Sequence, residues 1–82
     1  MIAESPYNIG IQPLDHIMTE AGLSNHALVA VSTEALTHKV IQKARKGRKL
    51  TRRTQDKVLR ALNLISTDKP YLREQIFNYE GS

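Results

Sequence analysis

LTHKVIQKARKGRK, residues 36–49, is the stretch on which the reading of this chain turns. At 100° per residue, Leu36, Val40, Ile41 and Ala44 fall within one arc of a helix. His38, Lys39, Gln42, Arg45 and Lys46 lie on the other side. The pattern predicts a short helix that buries an apolar stripe and presents a polar, basic one. Gly47 supplies its stop, since only glycine enters the left-handed conformation freely. Its start is open: Ser32 could cap a long helix, or residues 32–35 could form a turn before Thr37 caps a shorter one over about 37–46.

The same three- and four-residue spacing of apolar positions extends in both directions, so the chain reads as all-α. Upstream, Pro13 opens a first helix, where its missing amide donor costs nothing, and Gly22 closes it. Ser24 caps a second, with Leu23 able to staple onto Leu28. Downstream, Thr51 caps a fourth helix in which Val58, Ala61, Leu62 and Ile65 face inward while Arg53, Lys57 and Arg60 project outward. Asp68 and Pro70 open a fifth, expected over about residues 69–79. Residues 1–12, with Pro6, Gly10 and no sustained period, read as a mobile arm. The expectation is one domain of five short helices over residues 13–82.

Charge is unevenly distributed. Residues 1–34 hold four acids and no Lys or Arg, whereas residues 35–63 hold ten Lys or Arg against Asp56 alone. A chain of 82 residues with no cysteine must fold without covalent staples, and concentrating cations in it is costly unless a polyanion attracts them. Nucleic acid is the commonest polyanion in the cytosol. No apolar run is long enough to span a membrane and the N-terminus lacks an export signal, so a cytoplasmic protein is expected.

With the elements placed, GLSNHALV over 22–29 resembles the helix-two opening of the phage repressor and Cro family. LTHKVIQKARKGRK resembles the recognition helix of that family, and TQDKVLRALN over 54–63 its fourth helix. In the resemblance Leu36, Ile41 and Ala44 are the buried positions, Thr37 the cap and Gly47 the terminal glycine. The resemblance implies a lambda-repressor-like helix-turn-helix domain that binds double-stranded DNA sequence-specifically and acts as a small transcriptional regulator. His38, Lys39 and Lys43 match positions that touch base edges, and the helical wheel adds Gln42, which can bond adenine bidentately. Asn25 matches the residue that contacts phosphate and braces the recognition helix. Thr37, Lys46, Arg48, Lys49, Arg52 and Arg53 are placed as phosphate contacts that set register without reading sequence. Arg45 stands where the family often has Glu, which removes an expected ion pair but adds positive charge.

Three histidines, His16, His26 and His38, have no metal-ligand spacing, and no nucleophile has an evident base, so neither cofactor, metal nor enzymatic activity is expected. Two further expectations concern partners. Leu72, Ile76 and Tyr79 share a face of the last helix and Phe77 points away from it, which predicts a homodimer or partner interface with Phe77 as anchor. The competing function is a protein-interaction module, such as an antitoxin or adaptor, that uses the same fold.

Overall fold

A computed structural model describes residues 10–66 and 70–79. They form five helices and no strand: α1 (Pro13–Ala21), α2 (Asn25–Val31), α3 (His38–Lys46), α4 (Arg52–Ile65) and α5 (Arg73–Ile76).

Local chemistry sets most boundaries. Pro13 occupies the first turn of α1, and Gly22, at φ +70°, gives its amide to the Met18 and Thr19 carbonyls. The Ser24, Thr37 and Thr51 hydroxyls accept the amides of Ala27, Val40 and Thr54, capping α2, α3 and α4. The third helix therefore starts after Thr37. Ser32 is used differently: its hydroxyl accepts the Glu34 amide and donates to the Glu34 carbonyl, fixing the turn. That turn lets Leu36 enter the core in advance of the helix.

The core is built from Leu14 and Met18 of α1, Leu28 of α2, Leu36, Ile41 and Ala44 around α3, Val58, Ala61 and Leu62 of α4, and Ile76 and Phe77. α2 packs on both α3 and α4, and α1 bridges α3 and α5. The inward face expected for α4 is found, with Ile65 packed at its margin, and Gln55 joins it fully buried.

Two expectations are corrected here. The last helix spans only Arg73–Ile76, far less than residues 69–79. Leu72 is its N-cap, with the Leu72 amide donating to Gln75 Oε1, and Phe77 is already extended at φ −127°. Extending the backbone there turns Phe77 inward, where it is 2% exposed. Periodicity missed this because helix propagation lost to burial of the aromatic ring.

The second correction concerns the arm. Residues 1–9 lie outside the described residues and Gly10 and Ile11 are exposed, but Gln12 is buried and anchored. Gln12, 1% exposed, donates its amide to the Arg45 carbonyl and its Nε2 to the Gly10 carbonyl. Its Oε1 accepts the Asn78 amide, joining both ends of the described chain to the end of α3. Gly47 is buried beneath this segment at φ +94°, and a Cβ there would overlap the Gly10 carbonyl.

Candidate nucleic-acid interface

Lys39, Gln42, Lys43 and Lys46 recur at three- and four-residue spacing on α3, so they form one stripe opposite the buried Ile41 and Ala44. Lys39, Gln42 and Lys46 are exposed and Lys43 half-buried. His38 begins the helix, exposed, with its ring centroid 5.5 Å from that of His26 on α2. The four expected base-reading residues, His38, Lys39, Gln42 and Lys43, thus lie along one helix. Nine residues at 1.5 Å each make α3 about 14 Å long, comparable to the roughly 12 Å width of a DNA major groove.

The cationic surface continues past the helix. Arg48 and Lys49 are exposed in the connection to α4, and Arg52 and Arg53 are exposed in its first turn. Tyr79 braces this connection: its hydroxyl accepts the Leu50 amide at 2.9 Å and donates to the Arg48 carbonyl at 3.2 Å. Burial pushes the Tyr79 phenol above its ordinary pKa. No acid stands in the first turn of α4, where the helix dipole favours anions and opposes Arg52 and Arg53. Lys39, Lys43, Lys46, Arg48, Lys49, Arg52 and Arg53 have no ion pair among the described residues.

The other described arginines are paired. Arg60 makes two 2.7 Å contacts to Glu34, bonds that hold the Glu34 carboxyl below its usual range. Arg73 meets Asp56 at 2.9 Å. Arg45 corrects the sequence reading. Its side chain, 17% exposed, reaches back to α1, where Nε donates to Asp15 Oδ1 at 2.7 Å and Nη2 to Thr19 Oγ1 at 3.3 Å. Arg45 is an ion-pair partner and not a free charge.

From the same guanidinium, Nη1 donates to Asn25 Oδ1 at 2.8 Å, and Asn25 Nδ2 donates to Gln42 Oε1 at 2.9 Å. The Asn25 side-chain amide thus ties the start of α2 to both Arg45 and Gln42 of α3. Asp15, Thr19 and Arg45 were not legible as members of the site, because their contacts join residues 26 and 30 positions apart. Thr37 lies at the start of the stripe, its oxygen occupied by the Val40 amide while its hydroxyl proton stays available.

The expected partner surface on the last helix is largely absent. Ile76 is fully buried and Phe77 nearly so, Tyr79 is occupied by the basic connection, and Leu72 alone is well exposed, at 57%. Phe77 and Tyr79 stack edge to face at 5.7 Å. Among the described residues no helix is long and apolar enough to cross a membrane, and no group of three or more His, Asp or Glu is placed to hold a metal. No family model matches the chain, and neither does any curated protein or solved structure.

Proposed function

We propose that this chain is a small cytoplasmic transcriptional regulator of lambda-repressor-like type that binds double-stranded DNA, with α3 entering the major groove. The observation that carries the reading is the band of cations without an ion pair among the described residues, Lys39, Lys43, Lys46, Arg48, Lys49, Arg52 and Arg53, set beside polar side chains on one short helix. Unpaired cations at this density repel one another, and three of the acids in residues 10–66 are already taken by Arg45, Arg60 and Arg73. A phosphate backbone supplies the missing counter-charge, and the α4 N-terminus adds orphan amides to Arg52 and Arg53.

Within this reading the residues divide by task. Lys39, Gln42, Lys43 and His38 read base edges, whereas Lys46, Arg48, Lys49, Arg52, Arg53 and Thr37 hold phosphates. A homodimer belongs to the proposal because one α3 spans few base pairs, and a two-fold axis would set two of them about one helical turn apart. Its contacts lie outside the buried Ile76 and Phe77.

Selection of duplexes from a random pool, followed by titrations across a salt series, tests the division. Lys39→Ala, Gln42→Ala or Lys43→Ala should each cost about 1–3 kcal/mol and relax base preference at particular positions. Arg48→Ala, Lys49→Ala or Arg52→Ala should weaken all sequences alike and reduce the salt slope by about one per lost phosphate contact. If neither set alters duplex binding at about 100 mM salt, the band serves a protein partner or solvent instead.

A further inference from the structure

The chain of side chains Asp15, Arg45, Asn25 and Gln42 has a direction, and that direction reaches the proposed groove surface. A guanidinium only donates hydrogen bonds. Arg45, fixed by Asp15 and Thr19, must therefore face the carbonyl oxygen of the Asn25 amide. That leaves Asn25 Nδ2 pointing at Gln42, and Gln42 must turn its own oxygen toward it. An unrestrained glutamine presents either end of its amide to a base, since flipping costs little in water. Here the flip would place two amino groups face to face and break the bond to Asn25.

From this geometry we infer that Gln42 is a specificity-determining residue whose amide is held with nitrogen available to the base, and that Asn25 and Arg45 are positioning residues acting through it. The inference rests on the DNA-binding reading and deepens it. With one Oε1 lone pair committed to Asn25, the group left fully free is Nε2, a donor. The bases selected are those presenting acceptors in the major groove, foremost guanine through N7 and O6. Cytosine, which offers only its N4 amino group there, is rejected.

The relay can be reversed by one substitution. In Asn25→Asp the carboxylate still accepts from Arg45, but it cannot donate to Gln42. Gln42 then satisfies it through Nε2 and turns Oε1 outward. An acid in the first turn of α2 suits the helix dipole, so this variant should fold, which its melting curve and backbone amide spectrum would verify. The added negative charge lowers affinity for every duplex, so the informative readout is the ranking of bases at a single position.

The experiment is duplex selection with the wild-type protein, Gln42→Ala, Asn25→Ala and Asn25→Asp. Gln42→Ala identifies the position read by Gln42, where discrimination should fall about tenfold. Asn25→Ala should flatten that same position and spare the others, and combining it with Gln42→Ala should add nothing there. Asn25→Asp should move the preference toward cytosine or adenine, whose amino groups meet the outward oxygen. If the wild type selects no duplex, the DNA-binding reading fails and the inference falls with it. If the wild type selects a site but the ranking at the Gln42 position survives both Asn25 substitutions, the relay alone is overturned. Equal loss of preference at every position would also overturn it, marking Asn25 as a brace of the whole helix.

Discussion

Replacing Phe77 with Ala separates two incompatible roles for that ring. In the fold its side chain is 2% exposed and lies among Leu14, Met18, Ile76 and the other core residues. Truncating a buried phenylalanine costs about 3–5 kcal/mol, from lost transfer free energy and the cavity that remains. A chain of 82 residues has a total stability of about 4–12 kcal/mol at typical per-residue values, so the loss is a large share of it. At about 4–8 °C per kcal/mol for a domain this size, the melting midpoint should fall by at least about 12 °C. The assay is thermal and urea unfolding followed by circular dichroism at two protein concentrations a hundredfold apart. A core residue lowers the midpoint similarly at both concentrations, and Phe77→Leu, which preserves more of the contact, should recover much of the loss. Were Phe77 an intersubunit anchor, the variant would melt like a dilute wild type and lose only the concentration dependence. That second result would refute the placement of Phe77 in the core.

Two other perturbations probe the electrostatics. A double-mutant cycle on Asp15 and Arg45, using Asp15→Ala and Arg45→Met, should give a coupling of about 1–2 kcal/mol in urea denaturation, between the values for exposed and buried pairs; a coupling near zero would mean that the contact contributes nothing to folding. For Glu34, the bonds from Arg60 lower the folded carboxyl pKa. Its contribution is therefore present above the unfolded carboxylate range and disappears as pH falls through the folded value. Melting of the wild type should drop more steeply on acidification below about pH 4.5 than melting of Glu34→Gln, and parallel curves would remove Glu34 from the acid response.

What could be read from the sequence was whatever local chemistry dictates. Ser24, Thr51, Pro13 and Gly22 each act within one turn of their own position, and the boundaries of α1, α2 and α4 follow from them. Thr37 and Ser32 were equal candidates because both are good caps; what separates them is that Ser32 closes a turn on Glu34 and Leu36 is needed in the core. The polar, basic stripe of α3 was legible in its periodicity, apart from Arg45. On the wheel Arg45 belongs to the polar side, and only the folded chain brings Asp15 to it. Gln12 and Gln55 gave no local signal for burial, since a glutamine enters a core only where distant partners satisfy its amide. The last helix was overextended for the converse reason. Its apolar spacing continues through Tyr79, but the backbone leaves the helix after Ile76 to place Phe77 and Tyr79 at different targets.

The bond between Gln12 and the Asn78 amide closes a loop of 66 positions. Bringing such distant segments together costs roughly 4 kcal/mol of chain entropy, whereas the contacts of α2 with α3 span a short connection and form cheaply. The order of assembly follows: the pair carrying the basic stripe can form early, and the two ends meet afterwards over the end of α3. By the same reasoning this seam is expected to open before the centre of α4 does. Separating Gln12 from Asn78 uncovers Gly47 on one side and loosens Phe77 on the other, so the amide of Asn78 should exchange with solvent through a smaller opening than the amides at the centre of α4.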